Sequence, residues 1–473
     1  MLDYLADQLS SYKLAAMPKS QAINKIIKLL ADQNAEKVKL AIVDIDGILR
    51  GKVISFEKFR SIIDKGFGFC DVVFGWDAAD LAYDNASFTG WHTGYPDATV
   101  AVDLSTFRQV PWEQGLPFFL ADFGIASNRN KYVPCPRSLL RRIADQAKES
   151  GYLPYFAQEF EWFNFINNSD ELYSSRFSAL KPMTNGMFGY SILRASQKSI
   201  FFHELFDSLK KFGVPLEGIH TETGPGVYEA AIVHADVVEA ADRAVLFKSG
   251  VKEIAHRHGL IASFMAKWNE NLPGCSGHVH QSLWSSTQKQ NLFYDQKSST
   301  GLSSLMENYI AGQLYCMSHI LPMYAPTINS YKRLVEGAWA PTTLTWGIDN
   351  RTTALRALPG GPMSARLETR VVGSDANPYL AFAACLASGI YGIKNKMKLK
   401  TPATRGNGYE NKKQGVLPRN LWDATQEMKK SGVARELFGK EFVEHYTGTR
   451  EWEWKQFSKV VTDWELKRYF EII

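Results

Sequence analysis

Hydrophobic and polar positions change period several times along this chain. In SQAINKIIKLLADQN (20–34), Ile23, Ile26, Ile27 and Leu30 recur at helical spacing behind Ser20, which reads as the cap of a helix. In VKLAIVDIDGILRGKVIS (38–55) the period falls to two on both sides of Asp46-Gly47, which predicts a hairpin. An aromatic-rich stretch, GFGFCDVVFGWDAADLAYDN (66–85), precedes another strand at ATVAVDL (98–104). Residues 1–34 thus read as a helical segment and 35–130 as a small, mainly β domain. VPCPRSLLRRIADQAKESG (133–151) then combines proline punctuation with an amphipathic helix ending at Gly151, which marks a boundary. Beyond it, strand-like runs (154–165, 226–233, 275–284, 352–357, 365–372) alternate with helical ones (197–212, 234–248, 302–318, 377–393). The expected class is α+β, with a larger domain over 131–473, no internal repeat and no low-complexity tract.

Composition narrows the function. The 473 residues are 45% hydrophobic and 22% charged, ordinary for a globular chain long enough for two or three domains. A net charge of +5 is small, and the runs KNKMKLK (394–400) and NKKQ (411–414) read as solvated surface, so no nucleic-acid partner is expected. Cys70, Cys135, Cys275, Cys316 and Cys385 form no CxxC pair, which fits a reducing cytoplasm. MLDYLADQLSSYK has no long apolar region and does not read as a signal peptide. The run YLAFAACLASGIYGI (379–393) is too short to span a bilayer and reads as a buried helix, so no membrane partner is expected.

Charge in apolar surroundings is the informative anomaly. YFAQEFEWFNF (155–165) places Glu159 and Glu161 two apart in a strand, where both project to one face. Unpaired, they would repel and pay for desolvation, so something positive must meet them. IHTETGPGVYEAAI (219–232) carries Glu222 and Glu229 around a Gly-Pro-Gly turn, CSGHVHQSLW (275–284) carries His278 and His280, and ARLETRVV (365–372) sets Glu368 between Arg366 and Arg370. Each has a plainer reading: a turn residue, satisfied core histidines, an ion-pair ladder. Five carboxylates and an imidazole on four strands also match what a pair of Mg²⁺ or Mn²⁺ ions needs. Arg333, Arg351, Arg356, Arg366 and Arg370 then suit an anionic partner, and metals with arginines point to phosphoryl chemistry. Neither a Walker A loop nor GxGxxG occurs in the sequence.

The segments AQEFEWF, HTETGPGVYEAA, GCSGHVHQSLW, NSYKRLV, WGIDNRTTALR, ARLETRVVGSDANPYLAF and VTDWELKRYF, in this order, resemble the glutamine synthetase family. The resemblance implies an N-terminal β-grasp domain and a catalytic domain with a funnel-shaped site. It further implies an ATP-dependent ligase working through γ-glutamyl phosphate, with two or three divalent cations per site. Carried over residue by residue, one metal site would be Glu161, Glu222 and Glu229, and the other Glu159, His278 and Glu368. His280 and Ser282 match nucleotide-contacting positions; Arg351, Arg356 and Arg366 match phosphate-binding ones. Arg333 and Arg370 match the arginines that hold the substrate glutamate, with the backbone amide of Gly274. The resemblance also implies a homododecamer of two stacked hexamers with sites between subunits.

The pattern departs from ammonia-using members in one place. Where they read P-G-Y-E-A-P, this chain reads EGAWAP (336–341), so Trp339 stands at the position of a flap glutamate that takes a proton from ammonium. The family's D-G-S-S loop is also missing; FGWDAAD (74–80) stands there, and Asp77 or Asp80 would substitute. Indole in place of a carboxylate removes the charge that selects a small cation. The pattern is accordingly similar to the γ-glutamylamine-forming branch, whose members join glutamate to polyamines, ethanolamine, isopropylamine or aniline. A polyamine would call on Asp77, Asp80 and Asp84; a bulky or aromatic amine would suit Phe67, Phe69, Phe74, Trp76, Tyr83 and Trp339, which are equally candidates for core. Authentic glutamine synthetase activity is the alternative.

Overall fold

The computed structural model describes residues 17–123 and 133–473. The expected boundary at 130/131 and the first sixteen residues of the expected helical segment lie outside that range.

Two sheets organise the chain. The first contains β1 (Lys37–Val43), β2 (Leu49–Ser55), β3 (Phe67–Cys70), β4 (Asp97–Val102), β5 (Arg108–Val110) and β6 (Leu116–Phe123), in the order β2-β1-β6-β4-β3 with β5 on β6. β1 and β2 form the expected hairpin around Asp46-Gly47, whereas β1 and β6 run parallel. The helix Lys19–Asp32 packs Ala22, Ile26 and Leu30 against Val38, Leu40, Phe59 and Phe119, so it shares this sheet's core. Its start corrects one expectation. Ser20 does not cap it; Pro18 does, its fixed φ setting the entry while its carbonyl accepts from the N–H of Gln21 and Ala22. Phe69 and Phe74, offered above as amine-pocket candidates, pack in a core with Phe123.

The second sheet contains β7 (Tyr152–Phe165), β8 (Leu216–Thr221), β9 (Val227–Ile232), β10 (Ala235–Asp236), β11 (Ile261–Ser263), β12 (Gly277–Ser285), β13 (Trp346–Ile348), β14 (Leu355–Leu358) and β15 (Arg366–Thr369). Its order is β13-β14-β15-β12-β7-β9-β8, with β10 and β11 also on β7. One face is covered by helices. Phe156 and Phe160 of β7 meet Phe382 and Phe247 of the helices Pro378–Lys394 and Val237–Arg257 at 5.2 and 5.6 Å between ring centroids. Each such buried aromatic stabilises the layer by about 1.5–3 kcal/mol. The helix expected over 234–248 runs on to Arg257, because Val251, Ile254 and Ala255 continue its buried stripe.

Charged clamps join the two sheets. Arg137 donates to Asp103 and Asp122 beside the first sheet and to Asp242 in the helix Val237–Arg257, at 2.7–2.8 Å. Asn377 bonds the carbonyls of Asp44 and Ile45 in the β1–β2 turn, and Arg450 bonds Asp46 and the Pro326 carbonyl. No helix among the described residues is long and apolar enough to cross a membrane.

Candidate active site

Strand alternation places the site. Along β7, Phe156, Gln158, Phe160 and Trp162 are buried under the helices, while Glu159 and Glu161 project from the other face. Backbone pairing then aligns other charged residues with them. Glu161 lies opposite Glu229 in β9, and Glu229 opposite His220 in β8. Glu159 lies opposite His278 in β12. His280 lies opposite Glu368 in β15, which faces Arg356 in β14. Glu222, one residue past β8, is returned to this group by the Gly-Pro-Gly turn, its N–H bonding the Val227 carbonyl. Gly226 is required there: at φ +70° an added Cβ would lie 2.5 Å from the Asn164 carbonyl oxygen.

Register therefore sets the residues expected to ligate metal on neighbouring strands, but the tight clusters differ from the expected sets, with His220 in the place of Glu161 and His280 in that of His278. His220, Glu222 and Glu229 bring ligand atoms within 4.8 Å of one another, and so do Glu159, His280 and Glu368. The Nδ1 of His278 is 3.3 Å from Glu368 Oε1 and 3.6 Å from Glu159 Oε1, yet neither of its ring nitrogens has a hydrogen-bond partner. Nor do His280 Nε2 and Glu222 Oε2. Buried polar atoms are seldom left in this way without a reason. Carboxylate oxygens and imidazole nitrogens converging with unused lone pairs fit a hard divalent cation, with Mn²⁺ the more tolerant of nitrogen.

Electrostatics agree with that fit. Burial pushes Glu161 up to about 7, with Glu222 and Glu159 adding to the rise against the Ser276 N–H and Arg333. Burial likewise pushes Glu229 up to about 8, together with Glu159 and Glu161. These groups lack sufficient positive charge in the protein alone. Burial and then Arg370 bring His278 down to about 4, leaving the neutral imidazole that can ligate. Glu368 is fully buried; burial would raise it, but the two imidazoles, Arg370 and Arg356 together hold it at about 2.

The arginines divide. Arg356 bridges Glu368 and Asp349 through Nη1 at 2.9 Å and Nη2 at 2.6 Å. Arg370 donates to Glu368 Oε1 at 2.5 Å and to the Arg351 carbonyl at 2.9 Å. Arg351 is exposed, as is Arg366, whose Nε donates to His280 Nδ1 at 3.2 Å. Arg333 is 2% exposed and spends its donors on Ser276 Oγ and the Arg370 and Val371 carbonyls, keeping one N–H uncommitted. Gly274 sits against it: a Cβ there would be 3.0 Å from Arg333 Cγ and 2.5 Å from the Ala266 carbonyl oxygen. Ser282 follows His280 along β12 and accepts from the Trp284 indole at 3.0 Å.

Trp339 is 62% exposed and adopts φ +56°, a left-handed conformation unusual for a bulky residue and typical of functional loops. Asp77 is engaged elsewhere. One of its oxygens accepts from the Ala79 and Leu81 N–H groups and the other from the Trp452 indole. Asp80 pairs with Arg50 and Asp84 with Lys455.

Sequence reading missed His220 and Tyr190. His220 Nε2 lies 3.2 Å from Glu229 Oε1, and the Tyr190 ring stacks on the imidazole with 4.5 Å between centroids. The signal for His220 was present: it stands two residues before Glu222, the same spacing that singled out Glu159 with Glu161 and His278 with His280.

Residues 133–469 match the family described as glutamine synthetase, catalytic domain. Type-1 glutamine synthetase 2 of Dictyostelium discoideum is 53% identical over 439 residues, 92% of this chain and 84% of that protein. Glutamate–isopropylamine ligase of a Pseudomonas species is 38% identical over 455 residues, 95% of this chain and 98% of that one. A solved GmaS/ADP complex superposes with a TM-score of 0.81 at 25% identity, covering 94% of this chain and 99% of its own. With motifs, sheet register and these relatives in agreement, the chain belongs to the glutamine synthetase family of ligases.

Proposed function

We propose that this protein is an ATP-dependent ligase that activates the γ-carboxylate of glutamate as an acyl phosphate and joins it to a primary amine other than ammonia. The observation that carries the reading is Trp339: an exposed indole in the 335–340 loop, at the sequence position of the flap glutamate of ammonia-using members, in a chain that otherwise keeps the expected acids, imidazoles and arginines. A carboxylate at that place would favour a small cation; indole favours a less charged or bulkier nucleophile. The relative named for isopropylamine supports this direction.

In this reading Glu161, Glu222 and Glu229 hold one divalent cation and Glu159, His278 and Glu368 another, with His220 and His280 beside them. Bound Mg²⁺ or Mn²⁺ would neutralise phosphate charge during transfer. Arg351, Arg356 and Arg366 orient the phosphates, His280 and Ser282 contact the nucleotide, and Arg333, Arg370 and the Gly274 amide orient glutamate. The protein's task is to hold the acyl phosphate in line and away from water until the amine attacks. Asp77, whose two oxygens are taken by the Ala79 and Leu81 N–H groups and the Trp452 indole, is left out of the proton transfer that the sequence suggested for it. The reading extends to a β-grasp domain over 35–130, a catalytic domain over 131–473, a cytoplasmic location and a homododecamer of stacked hexamers with sites between subunits.

Ammonia as the nucleophile is the second reading, favoured by 53% identity to a protein named as a glutamine synthetase. The product mass after incubation with ATP, glutamate, ammonia and a panel of amines separates the two. A γ-glutamylamide mass supports the proposal; glutamine alone, formed efficiently at low ammonia, rejects it.

A further inference from the structure

Segment 404–417 is laced to the loop that carries Trp339. The Leu417 N–H donates to the Thr342 carbonyl at 2.9 Å, the Leu344 N–H to the Gly415 carbonyl at 3.0 Å, and Lys412 pairs with Glu336 at 2.7 Å. The same segment is fixed to the region that holds Arg370. The Gly408 N–H donates to Thr352 Oγ1 at 2.8 Å, and the Gly408 carbonyl accepts from Thr343 Oγ1 at 2.9 Å. The approach is close, since a Cβ on Gly408 would lie 2.5 Å from the Thr352 carbonyl oxygen. Thr352 follows Arg351, whose carbonyl accepts from Arg370 Nε at 2.9 Å. Tyr409, the next residue along, is thereby held between the Trp339 loop and the arginines.

Tyr409 is 9% exposed, and its buried hydroxyl has no hydrogen-bond partner among the described residues. Burial pushes the phenol above its ordinary value, against the pull of Arg370, Arg333 and the Trp339 N–H, which acts on it without closing a hydrogen bond. It is therefore a neutral hydroxyl at pH 7, able to donate and to accept. A buried hydroxyl left unpaired costs stability unless a ligand meets it.

We infer that Tyr409 is a specificity-determining residue whose hydroxyl accepts an N–H of the attacking amine, and that this amine is a monoamine. The inference rests on the proposed function, in which Arg333 and Arg370 hold glutamate and the Trp339 loop borders the nucleophile. A neutral hydroxyl supplies one hydrogen bond and no counter-charge, whereas the distal ammonium of a polyamine would need a carboxylate. The acids that a polyamine would call on are engaged elsewhere: Asp77 by Trp452, Asp80 by Arg50 and Asp84 by Lys455.

The test uses the full-length protein with Mn²⁺, ATP and glutamate saturating. Steady-state constants for n-butylamine, 1,4-diaminobutane and ammonia are measured on wild type and Tyr409→Phe, with product masses and thermal melts of both. Wild type should prefer n-butylamine to 1,4-diaminobutane. Tyr409→Phe should raise KM for the preferred nucleophile about tenfold, the usual effect of losing one hydrogen bond, with KM for ATP and glutamate moved less than about twofold. Its melt should hold or rise, because the deleted hydroxyl has no partner in the fold. Four results overturn the inference: an unmoved KM for the nucleophile, an equal rise in KM for glutamate, a preference for the diamine, or a lower melt. Glutamine as the sole product rejects the amine reading instead, and the Tyr409 contact is then judged on KM for ammonia.

Discussion

Glu161 faces Glu229 directly across the antiparallel β7–β9 ladder, two half-buried carboxylates where a sheet would ordinarily place apolar side chains. At a cross-strand spacing of about 5 Å and an effective dielectric near 20, their repulsion when both are ionised is about 3 kcal/mol. One Ser276 N–H, 2.7 Å from Glu161 Oε2, offsets part of it. The pair is relieved when one carboxyl is protonated, when the His220 imidazole 3.2 Å from Glu229 carries a proton, or when a metal cation lies between.

Replacing Glu229 by Gln should therefore leave the chelator-treated protein as stable as wild type or more so, while abolishing turnover. Wild type should gain about 2.7 kcal/mol when Mn²⁺ is present at a hundredfold excess over its Kd, and Glu229→Gln should lose most of that gain. Thermal melts with and without Mn²⁺ check both. Equal stabilisation of the two proteins would remove Glu229 from the metal site.

Trp339→Glu should raise kcat/KM for ammonia relative to the preferred amine by about tenfold or more, since each 1.4 kcal/mol of discrimination is one decade. Competition between ammonia and the amine, read as product ratio by mass, makes the measurement. An unchanged ratio would place Trp339 outside the amine pocket.

Gly274→Ala should act through Arg333. The new methyl cannot sit 2.5 Å from the Ala266 carbonyl oxygen and 3.0 Å from Arg333 Cγ without displacing one of them. The expected cost is about 1–3 kcal/mol of stability, with KM for glutamate raised about tenfold and KM for ATP little changed. Steady-state kinetics on both substrates distinguish this from general damage, which would move both constants.

Acid should unlock the clamp between the sheets. Burial would raise the carboxyl of Asp103, but Arg141 and Arg137 outweigh it and hold the group well below the usual carboxylate range. A depressed acid contributes stability that is complete above its unfolded pKa, near 4, and lost as pH falls towards the folded value. Asp103→Asn should be less stable than wild type at pH 7, with the difference shrinking progressively below about pH 4. Chemical denaturation across that range checks the sign; a difference that grew on acidification would contradict it.

Much of the site was legible because strand geometry is local. The spacing of Glu159 and Glu161 shows that they share a face, whatever the strand pairs with, and the same holds for His278 and His280. Dense aromatics on the alternate positions of β7 likewise announce a strand buried on one side. The start of the helix Lys19–Asp32 was misplaced because proline competes with serine as a way to begin a helix. β8 escaped because LEGIHT mixes polar and apolar residues without clear alternation, and His220 was lost with it.

By itself, the order of amino acids determined the periods of its elements, the residues able to carry acid, base and cation chemistry, and the family to which they conform. Only the tertiary structure decided that Glu161 meets Glu229, that Arg333 gives most of its donors to backbone, that Asp77 is engaged by Trp452, and that Tyr409 comes beside the Trp339 loop. The physical reason is range. Which way a side chain points in a strand follows from its immediate neighbours, whereas what it meets depends on register between strands separated by tens or hundreds of residues, set by packing of the whole sheet against its helices.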